Sequence, residues 1–162
     1  MKKVLLLTTG GTIASRPTEE GLAPGLDGGG MAARLYGLTD SYALTVRDLL
    51  SMDSSNIQPE EWQVIARAVY ESRGDFDGIV ITHGTDTMAY TASVLSFMLQ
   101  GIEIPVVLTG SQLPIEHPLT DGLENLRTAF AMASSGVGGV FVAFDRKVIL
   151  GCRAVKTRTT DF

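Results

Sequence analysis

The chain has 162 residues, of which 44% are hydrophobic and 19% charged, and this is the composition of a folded domain rather than a disordered chain. Its length suits a single domain with a sizeable core. The formal net charge of −5, without any cluster of lysine and arginine, argues against a nucleic-acid-binding surface. The single cysteine leaves no internal disulfide framework and favours a reducing compartment, so we expect the cytoplasm. No apolar run is long enough to span a bilayer, so we expect no membrane partner.

The first half of the chain predicts strands and helices in alternation, separated by polar segments. The helix that begins at Pro59 has the clearest N-terminus, because proline suits the first helical position and Glu60 and Glu61 suit the positive end of the helix dipole. The predicted segments are a buried strand over 4–8, an irregular loop over 9–30, a short helix over 31–36, a strand over 42–46, a polar turn over 49–56 and the helix from 59 with Trp62, Ile65 and Val69 on its apolar face. An active-site flap is the favoured interpretation of the loop, with a disordered connection as the alternative.

The second half continues the alternation of strands and helices. It predicts a strand over 77–82, a helix over 86–99, a strand over 104–109, a helix after residue 121 with Leu123, Leu126 and Phe130 inward, and a hairpin of strands 140–144 and 148–152 turned at 145–147. Strands that alternate with helices favour a mostly parallel sheet with helices on both faces, which is a three-layer α/β fold.

Three side-chain expectations follow from these elements. Asp121 and Glu124 have the spacing of a capping box at the start of a helix. Cys152 lies in an apolar stretch, so we expect a buried, unreactive thiol. The helix over 86–99 is apolar nearly all round, which favours burial on two sides and a subunit contact.

Three of the predicted strands end in the same kind of polar turn. Each turn supplies threonine, glycine and a further hydroxyl, at residues 8–12, 82–87 and 109–111. The carboxyl ends of parallel strands share one edge of the sheet, and ligands bind at that edge in open α/β sheets. The helix N–H groups that follow such turns favour anionic groups of a ligand. The sequence therefore predicts a site at this edge.

Familiar catalytic and metal motifs are missing from the chain. There is no P-loop, no HExxH and no Gly-x-Ser-x-Gly, and two distant histidines with one cysteine do not make a metal site. We therefore expect no metal site. His83 follows a buried strand, so a packed and hydrogen-bonded ring is the favoured interpretation, with a general base as the alternative.

The remaining candidates are hydroxyl and charged side chains near the predicted site. They are Thr9, Thr12, Asp53, Ser54, Ser55, Thr85, Asp86, Thr87, Ser111 and Lys156. A threonine hydroxyl needs a base to act as a nucleophile, and a lysine held in its neutral form by burial can supply one. Asp86 could instead accept a substrate ammonium group, while amides after Gly10, Gly11 and Gly84 could hold a carboxylate or an oxyanion. Serines and threonines before helices also act simply as caps. The residues alone therefore predict a site for a small polar ligand, with acyl transfer through a threonine as one possibility.

At these residues the sequence resembles the bacterial-type L-asparaginase family, close to its cytoplasmic type I branch. The resemblance rests on five matches in the family's order: Thr9-Gly10-Gly11-Thr12-Ile13-Ala14, Asp53-Ser54-Ser55, His83-Gly84-Thr85-Asp86-Thr87-Met88-Ala89-Tyr90, Thr109-Gly110-Ser111-Gln112, and Lys156.

The resemblance implies a flavodoxin-like or Rossmann-like domain that hydrolyses L-asparagine to L-aspartate and ammonia without a cofactor. Thr12 would attack the side-chain amide carbon and form an acyl-enzyme, and Thr85, Asp86 and Lys156 would handle protons; the reverse order, in which Thr85 attacks, stays open. The implied substrate-binding residues are Gly11, Asp53, Ser54, Ser55, Gly84, Thr85, Asp86 and Ser111. Full-length members of the family form dimers or tetramers, so a homo-oligomer is expected.

Two departures from the family pattern stand out. Members often carry a tyrosine in the loop after the first threonine, whereas no tyrosine lies between Thr12 and Arg34 in this chain. The family's chains are about twice this length, so we expect residues 1–162 to be the N-terminal catalytic domain, with the smaller C-terminal domain absent from this chain. Two alternatives remain: the ammonia-producing subunit of a tRNA-dependent amidotransferase, and a domain that binds an amino acid without turning it over.

Overall fold

A computed structural model describes residues 1–18, 21–24, 28–35, 37, 39–52 and 54–157. The strands and α-helices in these residues are, in chain order, β1 (Lys2–Gly10), β2 (Ser15–Thr18), β3 (Gly21–Pro24), α1 (Gly28–Arg34), β4 (Tyr42–Met52), α2 (Pro59–Ser72), β5 (Gly78–Thr82), α3 (Met88–Met98), β6 (Pro105–Thr109), α4 (Gly122–Ala133), β7 (Gly139–Phe144) and β8 (Lys147–Leu150). Short 3-10 turns lie at Thr12–Ala14, Thr39–Ser41, Ser54–Asn56 and Gly151–Arg153.

The main sheet has six strands in the order β4-β1-β5-β6-β7-β8. All neighbouring pairs from β4 to β7 are parallel, and β8 pairs antiparallel with β7 through a turn at Asp145 and Arg146. The mostly parallel sheet and the final hairpin are therefore confirmed. A separate antiparallel pair is formed by β2 and β3.

Helices cover both faces of the main sheet. In β1, Leu5 and Leu7 face the cluster that contains α2 and α3, while Val4 and Leu6 face the cluster that contains α1 and α4. All four side chains are fully buried, which explains why the strand reads as a continuous apolar run. The predicted three-layer α/β fold is confirmed.

The helix that begins at Pro59 agrees with the sequence in most details. Gln58 and Glu61 form a reciprocal capping box, and Ile65 and Val69 are buried against the sheet. By contrast, the capping box predicted at Asp121 is wrong, because the Asp121 carboxylate makes no cap bond to α4. It accepts instead from the backbone N–H groups of Gln112 and Leu113 at 2.9–3.1 Å.

The irregular loop predicted over residues 9–30 is also wrong for much of its described part. It contains a 3-10 turn and the β2–β3 hairpin, and α1 begins at Gly28. Both strands of this two-stranded pair are edges, where Pro17 and Pro24 can lack an N–H without breaking a central ladder. The strand predicted over 42–46 continues to Met52 because β1 also continues, and Gly10 pairs with Met52 beyond an irregularity in the register.

Two expectations about burial change. Cys152 is exposed, because the chain leaves β8 at Gly151 and forms a 3-10 turn that seats the glycine, not the cysteine, against α3. In α3, Met88, Ala92 and Leu95 are buried, whereas Tyr90 and Phe97 are 67% and 69% exposed. The chain itself thus covers one side of this helix, and a subunit contact on the other side stays a prediction. Among the described residues, no helix combines the length and apolar character needed to cross a membrane.

Candidate active site

The turns that follow β1, β5 and β6 pack against one another at the carboxyl edge of the sheet. Gly11 has a φ of +88°, and a Cβ added there would lie 2.6 Å from the backbone nitrogen of Gly84. Gly110 lies equally close, since a Cβ there would meet the His83 carbonyl oxygen at 2.2 Å. Real Cβ atoms do not approach this closely, so only glycine allows the backbones to touch. The sequence prediction that these turns form one rim agrees with the packing.

The first turn, residues 9–14, carries Thr12 and is called the Thr12 turn below. Thr12 opens a 3-10 turn and is partly exposed, while the next two residues, Ile13 and Ala14, are buried. The Thr12 carbonyl accepts from the Ser15 hydroxyl at 2.7 Å, and the Ile13 carbonyl accepts from the Ile115 N–H at 3.0 Å. The backbone is therefore anchored directly after the hydroxyl that the family resemblance proposes as nucleophile.

The second turn, residues 83–87, carries Thr85 and is called the Thr85 turn below. Lys156 Nζ donates to Thr85 Oγ1 at 2.9 Å and to Asp86 Oδ1 at 3.2 Å. Thr85 is 7% exposed, and the lysine side chain is 19% exposed, whereas the Asp86 side chain is 68% exposed. Since an ammonium only donates, the Thr85 oxygen accepts from Lys156 and its own proton is directed elsewhere. The structure thus brings together three of the four predicted catalytic residues.

His83 begins the Thr85 turn and is fully buried. Its Nδ1 lies 2.7 Å from the Gly84 carbonyl oxygen and its Nε2 lies 2.9 Å from the Thr91 hydroxyl. Burial lowers the pKa of the His83 imidazole below its usual value of 6.5, and the hydrogen bond to Gly84 opposes this shift. The packed, hydrogen-bonded ring predicted from the sequence is confirmed, and both ring nitrogens are occupied.

The third turn, after β6, is held by contacts of Asp121 and Asn125 that sequence reasoning missed. Ser111 is buried, and its hydroxyl donates to the Leu113 carbonyl within the turn. Asp121 accepts from two N–H groups of this turn, and the buried Asn125 donates to the Gly110 carbonyl at 2.8 Å. A signal was present, because Asp121 directly before α4 and Asn125 within it are four residues apart, which is the spacing of neighbouring side chains on a helix. The substrate contact predicted for Ser111 stays a prediction.

The predicted binding residues after β4 are described only in part. Asp53 lies outside the described residues, and Ser54–Asn56 forms a 3-10 turn in which Ser55 is exposed. This turn follows Met52, whose pairing with Gly10 places it beside the Thr12 turn. Within the described parts of the chain, no group of three histidine, cysteine, aspartate or glutamate side chains is placed to hold a metal ion.

Comparison with known proteins gives this arrangement a family context. Residues 3–162 match the family model described as Asparaginase, N-terminal. The L-asparaginase of Thermococcus kodakarensis is 50% identical over 159 residues, which cover 97% of this chain and 48% of that protein. L-asparaginase 1 of Escherichia coli K12 is 37% identical over 168 residues, which cover 99% of this chain and 49% of that protein.

Structural comparison agrees with the sequence matches. The solved structure of the thermostable L-asparaginase from Thermococcus kodakarensis superposes with a TM-score of 0.89 at 49% identity, covering 97% of this chain and 48% of that chain. A glutamyl-tRNA(Gln) amidotransferase subunit of Thermoplasma acidophilum is 36% identical over 147 residues, which cover 88% of this chain and 35% of that protein. This chain thus spans about half the length of the L-asparaginases that it matches. The chain belongs to the asparaginase family, and its residues 3–162 correspond to that family's N-terminal part.

Proposed function

We propose that this chain is the N-terminal catalytic domain of a cytoplasmic L-asparaginase, which hydrolyses L-asparagine to L-aspartate and ammonia. The observation that carries the proposal is the bond from Lys156 Nζ to Thr85 Oγ1, one residue from the contact between Gly84 and Gly11. The neighbour of Gly11 is Thr12, so this contact sets two threonine hydroxyls on adjoining turns. The 50% identity to an L-asparaginase over 97% of the chain supports the choice of substrate.

The proposed reaction has two steps. In the first, the Thr12 oxygen bonds to the side-chain amide carbon of asparagine, the carbon–nitrogen bond breaks, and the leaving nitrogen takes up the threonine proton and departs as ammonia. In the second, water attacks the ester, one proton returns to the Thr12 oxygen, and aspartate leaves. Thr85 orients and activates that water, and Lys156 holds the Thr85 oxygen in place by donating to it.

The substrate's charged groups supply the rest of the assignment. Asp86 has a largely exposed carboxylate beside Lys156, and we propose that it accepts the α-ammonium group of asparagine. Ser54, with Asp53 and Ser55 beside it, would bind the α-carboxylate. The backbone amides at Gly11 and Gly84 would stabilise the oxyanion, and Ser111 would line the pocket. These steps require no cofactor. We also propose that the full-length protein forms a homo-oligomer.

Ammonia release from asparagine and from glutamine tests this function. Measured on the protein that carries this chain, Thr12→Ala should lower kcat by at least about a thousandfold, while Thr12→Ser should keep measurable turnover. Lys156→Met keeps the aliphatic stem and should lower kcat by about a hundredfold or more. Its melting temperature should barely change, because an ion pair to an exposed carboxylate contributes little to stability. Full turnover in Thr12→Ala would contradict the mechanism.

The principal alternative is the ammonia-producing subunit of a tRNA-dependent amidotransferase. The 36% identity to a glutamyl-tRNA(Gln) amidotransferase subunit over 88% of the chain favours keeping it as a second candidate. Turnover that requires glutamyl-tRNA would select this alternative. Binding of aspartate in calorimetry without ammonia release from either amide would instead select an amino-acid-binding domain.

A further inference from the structure

A chain of hydrogen bonds runs from α2 through α3 to the Thr85 turn. The Trp62 indole nitrogen lies 2.8 Å from Thr91 Oγ1, and Thr91 Oγ1 lies 2.9 Å from His83 Nε2. The other ring nitrogen of His83 lies 2.7 Å from the Gly84 carbonyl oxygen. Thr91 and His83 are fully buried, so these groups exchange no bonds with solvent.

The direction of each bond follows from what its end groups can do. The Trp62 indole only donates and the Gly84 carbonyl only accepts. Thr91 therefore accepts from Trp62, and it directs its own proton to His83 Nε2 where that nitrogen carries a lone pair. His83 Nδ1 then carries the proton and donates to Gly84. This arrangement requires a neutral ring, and burial favours the neutral form of His83.

The position of this chain of bonds connects it to the site. It ends at Gly84, which contacts Gly11 of the Thr12 turn and directly precedes Thr85. It begins on α2, whose first turn follows the Ser54–Asn56 turn, and Gln58 at the start of α2 donates to the Asn56 carbonyl at 3.2 Å. The series of bonds thus links α2 to the Thr85 turn, and the Thr85 turn packs on the Thr12 turn through Gly84 and Gly11.

We propose that Trp62, Thr91 and His83 are positioning residues, which fix the Gly84 carbonyl and thereby the placement of Thr85 relative to Thr12. This proposal rests on the proposed amide hydrolysis for its kinetic consequences. It excludes a general-base role for His83, because both ring nitrogens are occupied and the ring is inaccessible.

Two substitutions of His83 test the roles of its two ring nitrogens separately. An asparagine amide reaches the position of Nδ1, and a glutamine amide reaches the position of Nε2. His83→Asn should keep the bond to Gly84 and hold kcat within a few-fold of the parent. His83→Gln should lose that bond and lower kcat by about tenfold or more with little change in KM, because a misplaced reacting group affects the transition state most. Equal kcat values in the two variants would overturn the proposal.

Two substitutions of Thr91 test its hydroxyl in the same way. Thr91→Ser keeps the hydroxyl, whereas Thr91→Val keeps the shape and removes both bonds. Thr91→Val leaves His83 Nε2 without its donor, so the ring can change tautomer and lose the Nδ1–H bond to Gly84, which an asparagine amide does not do. The kcat of Thr91→Val should therefore fall by about tenfold, and Thr91→Ser should restore most of it. Trp62→Phe removes only the first donor, so its effect on kcat should be the smallest of the series. A Thr91→Val enzyme that matched Thr91→Ser would count against positioning through this hydroxyl.

A readout that does not need turnover keeps the proposal separate from the proposed function. Long-range nitrogen–proton NMR correlations should show His83 as the Nδ1–H tautomer in the parent and should change in Thr91→Val but not in Thr91→Ser. The Thr85 methyl resonance should shift in the same variant alone. An Nε2–H or doubly protonated ring in the parent would overturn the chain of bonds. Absence of amide hydrolysis in the parent would refute the proposed function, and the NMR result would still decide the positioning.

Discussion

The Thr12 turn and the Thr85 turn are held by different kinds of contact. The Thr85 turn is fixed by side chains: His83 bonds on both sides of its ring, and Lys156 reaches Thr85 and Asp86. The Thr12 turn is held mainly through its main chain: Gly11 packs on Gly84, and the Thr12 and Ile13 carbonyls accept hydrogen bonds.

This difference bears on the roles proposed for the two threonines. The Thr85 oxygen already accepts a bond from an ammonium group, which suits a residue that orients water and handles protons. Thr12 is partly exposed on a well-anchored backbone, which suits a hydroxyl that must reach a substrate carbon. Changes to the backbone should therefore damage the Thr12 turn most, and changes to the surrounding side chains should damage the Thr85 turn most.

Gly11→Ala should have the largest effect of any change that tests this difference. The new methyl group would lie 2.6 Å from the Gly84 nitrogen at a φ of +88°, so the two turns must separate. We expect a loss of roughly 3 kcal/mol or more in the free energy of unfolding, and a fall in kcat of at least about a hundredfold. Urea unfolding and the ammonia assay measure these two effects.

The matched control is Gly101→Ala, which has a similar φ of +78° but no atom within 4 Å of the added Cβ. It should cost only about 1 kcal/mol from backbone strain and leave turnover unchanged. Equal losses in the two variants would show that strain, and not the contact between the turns, sets the role of Gly11.

The pH dependence of stability provides a second, smaller effect that singles out the Thr85 turn. Burial depresses the pKa of His83 in the folded protein, so below pH 6.5 the unfolded chain binds a proton that the folded chain does not. The contribution of His83 to stability is therefore complete above pH 6.5 and is lost progressively as the pH falls toward the folded-state pKa. Unfolding by urea between pH 7.5 and 5.5 should show this decline.

Replacing His83 should flatten that decline. His83→Asn removes the titrating ring, whereas His117→Gln removes the other histidine of the chain and leaves His83 in place. The slope should vanish in the first variant and persist in the second. If the slope disappeared only in His117→Gln, the titrating group would be His117 and not His83.

Much of the fold and of the candidate site could be predicted from the sequence, for physical reasons that differ between residues. Periodicity revealed the buried strands, because β1 alternates its apolar side chains between two covered faces. The shared Thr-Gly pattern revealed the rim, because parallel strands end at one edge. The family resemblance added the roles of Thr12 and Lys156, which composition and spacing left open.

What the sequence did not reveal depends on partners that are distant along the chain. Asp121 could cap a helix locally, but its carboxylate accepts instead from two N–H groups of the turn after β6, which lies several residues away along the chain. The hairpin β2–β3 was hidden by its glycines and prolines, whose effect on pairing depends on whether a strand lies at an edge. Cys152 is exposed because the tight contact of its neighbour Gly151 sets the direction of the turn.

That last contact leads to the prediction with the smallest expected effect. The Gly151–Arg153 turn packs on α3 and leads through the buried Ala154 to Lys156. A Cβ at Gly151 would lie 2.9 Å from Ser96 Oγ and 3.0 Å from the Ala92 carbonyl oxygen, so Gly151→Ala should displace this turn by a small amount. Because Lys156 would then approach Thr85 less well, kcat should fall by several-fold to about tenfold.

The adjacent exposed cysteine supplies the control for this displacement. Cys152→Ser changes a side chain that faces solvent, so it should alter the free energy of unfolding by less than about 0.5 kcal/mol and leave kcat unchanged. A thiol reagent should also label Cys152 in the folded protein. If Gly151→Ala left kcat unchanged while Lys156→Met abolished turnover, the placement of Lys156 would not depend on the seating of this turn. Lys156 would then be the only residue near the C-terminal end of the described chain that matters for the Thr85 turn, and His83 and α3 would supply the rest of its support.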